Sequence, residues 1–194
     1  MKICLFGGTF DPPHFGHLIL AQTIFEAEYF DQIVFVPAHT SPHKDKTVVS
    51  SVSLRKEMVK IAIQENPNFI LSDIEIKRGG ISYSFDTIIE YKEKTGIDSK
   101  NLFYLIGSDS LKTFHSWHNS DQILDECQII VAIRPGFRPS DINNEILARI
   151  QFANIPRIEI SSTQIRKRWR EDKTIRYMVS QPVWEFINEN KLYL

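Results

Sequence analysis

Short apolar runs alternate with amphipathic stretches along most of this chain. Residues 2–6, 32–36, 69–76, 102–106 and 128–133 read as strands. Each is apolar throughout or alternates near one end, and glycine, proline or polar residues bound the runs. A shorter strand is predicted at 157–160. Between them lie helical patterns: 18–25, 54–64 with Met58, Ile61 and Ala62 inward, and 84–94, started by Ser84 or a neighbouring hydroxyl and stopped by Gly96. Two helical pieces over 111–127 are broken near Trp117. Further helices are expected at 141–150, at 162–170 with Ser162 as cap, and from Pro182 onward. Strands alternating with helices predict an α/β fold. It should be a Rossmann-like, doubly wound and mostly parallel sheet with helices on both faces. No repeat, low-complexity tract or linker divides residues 1–194, so one domain is expected.

The stretch Gly7-Gly8-Thr9-Phe10-Asp11-Pro12-Pro13-His14-Phe15-Gly16-His17 follows the first strand and opens the first helix. It therefore lies at the carboxyl end of a sheet strand, where open α/β sheets hold their ligands. Glycines there let backbone N–H groups approach an anion, and the helix turns its positive end to the same spot. His14 and His17, three apart, fall on one side of the first turn. Ser161, Ser162 and Thr163, with Arg166 one turn later, make a second candidate anion cradle at a helix start. Two such cradles suit a ligand with a polyphosphate tail. The polar loop over 38–50 is long for a compact domain, and loops of that length are usually functional or mobile.

Charge and cysteine content narrow the classes. A net charge of −1 argues against a general nucleic-acid binder. The basic cluster Arg166, Lys167, Arg168 and Arg170 is the local exception, and a solvated helix face explains it equally well. Cys4 and Cys127 sit in apolar surroundings and read as buried reduced thiols, which points to a reducing compartment. No run is long enough to span a bilayer and no signal segment opens the chain, so a cytoplasmic protein with no membrane partner is expected.

The two histidines also admit a metal reading, with His39 and His43 as further ligands, although metals seldom sit on a glycine-rich anion turn. The motifs weigh against it. Gly-Gly-Thr-Phe-Asp-Pro-x-His-x-Gly-His near the start and Ile160-Ser-Ser-Thr-x-Ile-Arg166 near the end resemble the nucleotidyltransferase superfamily with the HxGH signature. More narrowly, they are similar to bacterial nicotinate-nucleotide adenylyltransferases. Between them the resemblance extends to Pro42-His43-Lys44, Ser82-Tyr83-Ser84-Phe85-Asp86-Thr87, Gly107-Ser108-Asp109, the turn around Trp117, and Arg134-Pro135-Gly136. Ser84 departs from the family's more usual threonine but keeps the hydroxyl.

The resemblance implies adenylyl transfer from ATP, with Mg²⁺, to nicotinate mononucleotide. The substrate phosphate is already ionised and attacks the α-phosphate in line, without a covalent intermediate. The protein then aligns phosphates and neutralises charge. His14, His17, Lys44 and Arg166 are the implied catalytic groups. Gly7, Gly8, Thr9, Phe10, His14, His17, Ser161, Ser162, Thr163 and Arg166 would bind ATP, the helical part over about 161–194 completing its site. Ser84, Asp109, Trp117, His118 and Arg134 would bind the mononucleotide. Trp117 is equally readable as an interfacial core aromatic, and Asp109 as a helix cap. Mg²⁺ would be held mainly by ATP phosphates, since no carboxylate cage is visible. Assembly as a homo-oligomer is left open. The alternatives are phosphopantetheine adenylyltransferase, which usually carries threonine at the position of His14, and a non-catalytic nucleotide-binding regulator on the same fold.

Overall fold

The computed structural model describes residues 1–42, 50–133, 137–138 and 142–194. Among them, six strands form one parallel sheet: β1 (Ile3–Gly8), β2 (Gln32–Pro37), β3 (Phe69–Leu71), β4 (Leu102–Gly107), β5 (Gln128–Ile133) and β6 (Ile150–Asn154). Their spatial order is β3-β2-β1-β4-β5-β6. The chain therefore reverses its direction of winding between β1 and β4, which pair from Ile3 opposite Leu102 to Leu5 opposite Tyr104. A crevice opens at such a switch point, outside the carboxyl ends of the strands.

The strand sequences explain why both faces are covered. Successive side chains point to opposite faces. Ile3, Leu5, Val34, Val36, Leu102, Tyr104, Ile106, Ile129 and Val131 meet one helical layer. Cys4, Phe6, Ile33, Phe35, Phe103, Leu105, Ile130 and Ala132 meet the other. The first layer comes from α3 (Ile74–Arg78), α4 (Ser84–Thr95), α5 (Ser108–Leu111) and α6 (Ser120–Glu126). The second comes from α1 (Phe15–Ala27) and α2 (Val52–Ile63). A third buried cluster joins Met58 of α2 to Ile165 of α8 (Ser162–Arg170) and to Val183 and Ile187 of α9 (Gln181–Glu189), with a proline in its first turn. Ile61 and Ala62, expected inward, are only half-buried, while Arg55, Val59 and Ile63 are buried.

Several predicted elements differ. The third strand stops at Leu71, and Ile74–Arg78 turn into α3. Alternation at 73–76 suggested a strand, but Ile74–Arg78 close a helical turn, with the Lys77 N–H on the Asp73 carbonyl at 2.9 Å. The helix expected at 141–150 is the single turn α7 (Asn144–Leu147), capped by Asn143, which accepts the Glu145 N–H at 2.8 Å. The sixth strand is Ile150–Asn154, not 157–160, which has no regular structure. It is an edge strand with Gln151 and Phe152 exposed, so its sequence lacks the apolar run of a central strand. Over 111–127 the first predicted helical piece is only a 3₁₀ turn at Phe114–Ser116, α5 having ended at Leu111, and the second is α6; the break falls at Trp117 as expected, and Asn119 there takes φ +54°. Ser161 caps α8 instead of Ser162, accepting the Gln164 N–H at 3.2 Å. Ser84 is the first residue of α4 and not its cap.

Candidate active site

The glycine turn ends β1 and is shaped by packing as much as by charge. A Cβ on Gly8 would lie 2.8 Å from the Phe10 ring, and one on Gly7 would lie 2.6 Å from the Tyr104 hydroxyl. So these positions need glycine because aromatic groups already occupy the space. The Phe10 ring is buried against Phe6 (5.4 Å), His17 (5.0 Å) and Phe35 (5.7 Å). Its backbone sits at φ +50°, a strained setting for an aromatic residue.

His14 and His17 stack with ring centres 3.7 Å apart. The shared face expected from their spacing is therefore present. His17 Nδ1 accepts the His14 backbone N–H at 3.2 Å. That bond needs a bare Nδ1, so the ring proton stands on Nε2, which is then a donor.

The second cradle touches the first. Ser162 Oγ donates to the Pro12 carbonyl at 2.9 Å, and Arg166 Nη1 donates to the Asp11 carbonyl at 2.7 Å. Because Ser161 is the cap, the Ser162 hydroxyl is free to cross to the turn. Both segments line one cleft of about 980 Å³. Of the residues expected to hold nucleotides, Gly7, Gly8, Thr9, Phe10, His14, His17, Ser161, Ser162 and Thr163 line it, as do Ser84, Asp109, Trp117 and His118. Arg166 stands one layer back, its guanidinium on Asp11 and 3.4 Å from the Thr163 hydroxyl. Lys44, His43 and Arg134 lie outside the described residues. Within the basic cluster, Arg168 is bonded to the Thr174 carbonyl, while Lys167 and Arg170 are exposed, so only part of it is a solvated face.

On the other side of the cleft, Ser84 Oγ and the Tyr104 hydroxyl are 2.9 Å apart. Burial pushes the Tyr104 phenol far above its ordinary value, so it stays protonated. Trp117 is half-buried, packs on Phe114 at 5.4 Å, as its core reading expects, and also lines the cleft. The His118 ring lies 4.6 Å from that of Tyr83. Asp109 is exposed in the first turn of α5, and the cap position belongs to Gly107, so the helix-cap reading fails.

Glu75, Tyr83, Tyr104 and Arg157 line the cleft and were not singled out from the sequence. A tyrosine inside the apolar run 102–106 was the available signal for Tyr104. Glu75 gave a misleading one, because the strand reading turned it away from the core. It is 3% exposed and accepts the Thr87 hydroxyl at 2.7 Å. Burial raises its pKa, while hydrogen bonds from Thr87 and Ser82 and the charges of Arg78 and Arg55 offset only part. A carboxyl harder to ionise when folded makes stability fall as pH rises past its unfolded value, near 4.5. Glu75→Gln keeps an oxygen for Thr87. It should melt at least as high as wild type at pH 8, with the gap closing as pH falls toward about 4.5. A gap independent of pH would remove the buried charge as its cause.

Both cysteines are free and buried, as expected. Burial pushes the Cys127 thiol up to about 12. Among the described residues, no helix is long and apolar enough to cross a membrane, and no group of three or more His, Cys, Asp or Glu side chains could hold a metal ion.

The glycine turn and the start of α8 share a cleft at the switch point of the sheet, where open α/β sheets hold their ligands, and the sequence of residues 5–168 matches the cytidylyltransferase-like family. The chain is thus of the nucleotidyltransferase class. It is 42% identical over 193 residues to a probable nicotinate-nucleotide adenylyltransferase of Exiguobacterium sibiricum, covering 100% of this chain and 99% of that protein. It is 39% identical over 192 residues to the nicotinate-nucleotide adenylyltransferase of Bacillus subtilis, covering 99% and 98%. The chain belongs to the nicotinate-nucleotide adenylyltransferase family, enzymes of NAD biosynthesis. The solved structure of Plasmodium falciparum nicotinic acid mononucleotide adenylyltransferase complexed with NaAD has the same fold, with TM-score 0.80, 22% identity and coverage of 99% of this chain and 97% of that one.

Proposed function

We propose that the enzyme transfers the adenylyl group of ATP to nicotinate mononucleotide by direct in-line displacement. A mononucleotide phosphate oxygen bonds to the α-phosphorus, the bond from that phosphorus to the bridging oxygen breaks, and pyrophosphate leaves with the electron pair. The products are deamido-NAD and pyrophosphate. The observation that carries this reading is the pair of bonds from Ser162 and Arg166 to the glycine turn, which brings both cradles to one cleft. Its volume, about 980 Å³, is at the upper end for small-ligand sites and suits two nucleotides held together.

On this reading the nucleophile is ionised at neutral pH, so no base is needed. His14 and His17 donate to the reacting phosphates, and Lys44 and Arg166 supply positive charge. Thr9, Ser161, Ser162 and Thr163 hold the triphosphate with Gly7, Gly8 and Phe10, and residues 161–194 complete that half-site. Mg²⁺ enters with ATP as part of the substrate. Ser84, Asp109, Trp117, His118 and Arg134 take the mononucleotide. The Ser84 and Tyr104 hydroxyls share one hydrogen bond, which uses one of their two protons and leaves the other to donate to a carboxylate oxygen, whereas an amide brings its own N–H groups to the same place. The buried, un-ionised thiols fit a reducing cytoplasm.

The test is pyrophosphate release with ATP, Mg²⁺ and either the acid or the amide mononucleotide. Release with the acid, and much less with the amide, is expected. ATP binding by calorimetry with no turnover would favour a regulator instead. Trp117→Ala should raise the KM for the mononucleotide about tenfold and leave that for ATP within about twofold, consistent with loss of one aromatic contact. An unchanged mononucleotide KM would take Trp117 out of the site.

A further inference from the structure

The glycine turn is fastened from behind. Arg55 holds the Thr9 carbonyl at 2.9 Å, and Arg166 holds that of Asp11. Neither arginine lines the cleft. Between these donors sits one carboxylate. Asp11 is 2% exposed. Its Oδ1 accepts the Tyr193 hydroxyl at 2.8 Å, both oxygens face the Ser50 N–H at 3.3 Å, and Arg166 Nη1 lies 3.9 Å from Oδ2. The Tyr193 hydroxyl bond is thus the shortest of these contacts to the carboxylate. It joins residues 182 positions apart. Tyr193 makes it from a backbone at φ +67°, a conformation an aromatic residue rarely adopts without compensation. Burial, and then the charge of Asp11, push the phenol upward, so it stays protonated and can only donate to the carboxylate.

We propose that Tyr193 is a positioning residue for adenylyl transfer, its hydroxyl fixing the Asp11 carboxylate that orients the Arg166 guanidinium between the glycine turn and α8. This role rests on the adenylyl-transfer reading. Arg166 has several rotatable bonds, and its place between the two cradles depends on acceptors that do not move. The Asp11 carbonyl is held by the chain, but the carboxylate can rotate. Without the tyrosine hydroxyl, only the longer contacts to Ser50 and Arg166 itself would hold it among the described residues. Arg166 would then hold the glycine turn against α8 less firmly from behind the cleft, and a small misplacement of that turn is costly to an in-line transfer.

The test is Tyr193→Phe, which keeps the ring, assayed by pyrophosphate release in wild-type and Arg166→Ala backgrounds. In the wild-type background kcat should fall about tenfold, with the mononucleotide KM changed less than about twofold. In the Arg166→Ala background, assayed at high enzyme concentration, the same substitution should change kcat less than about twofold, because the two residues act as one unit. An equal fall in both backgrounds would make Tyr193 a packing residue only. No fall in either would also end the proposal. A wild-type enzyme that released no pyrophosphate would sink the adenylyl-transfer reading itself, and this role with it.

Discussion

His17→Ala should lower kcat about 100- to 1,000-fold, the cost of losing one preorganised donor to developing charge. Dissociation of ATP, measured by calorimetry, should change only about threefold, because a contact that strengthens in the transition state contributes little to ground-state binding. The geometry supports this split. His17 Nδ1 is occupied by the His14 N–H, so the proton stands on Nε2. The ring is braced by Phe10 on one side and by His14 on the other. A donor held this firmly needs no reorganisation when charge builds on the α-phosphate. His17→Gln should lose nearly as much, since its amide has neither the brace nor the fixed direction. If turnover and ATP affinity fell by the same factor, His17 would be a binding group alone.

Arg55→Ala should be strongly destabilising, about 3–5 kcal/mol, or roughly 10 °C in Tm for a chain of this size. Arg55 is 2% exposed, and burial lowers its pKa, with Asp11, Tyr193 and Glu75 opposing. Its Nε donates to the Ser50 carbonyl at 3.2 Å, Nη1 to that of Thr9 at 2.9 Å and Nη2 to that of His39 at 3.0 Å. Three carbonyls, one from the glycine turn, one just after β2 and one just before α2, would lose their partner at once, and unpaired buried acceptors are costly. Arg55→Lys offers a single ammonium in place of the fork and should recover less than half the loss. Because Thr9 belongs to the glycine turn, turnover should also fall in the protein that remains folded. A Tm within about 2 °C of wild type for Arg55→Ala would refute this account.

Neither Arg55 nor Asp11 could be assigned from the chain alone. Arg55 sits at the start of an amphipathic helix and reads as an ordinary surface charge. Only the fold brings residues 9, 39 and 50 around it. Asp11 was visible inside the motif but had no stated role, since its partners Tyr193 and Arg166 lie far along the chain. Contacts between such distant positions leave no periodic mark in a sequence.

What the sequence determined by itself was local. Apolar runs placed the four central strands, because a strand buried on both faces must be apolar along its whole length. The spacing of His14 and His17 put their rings on one side of a helix start, and the motif pair led to the enzyme family. Where environment outweighed local pattern, reading failed. Glu75 is buried on the short helix α3, and β6 is half-exposed at a sheet edge. Tertiary structure alone decided that the glycine turn and the start of α8 meet, that Gly7 and Gly8 make room for Tyr104 and Phe10, and that Arg55 and Arg166 stand behind the turn and not in the cleft. Those are matters of where distant backbones come to rest, and they depend on the packing of the whole chain.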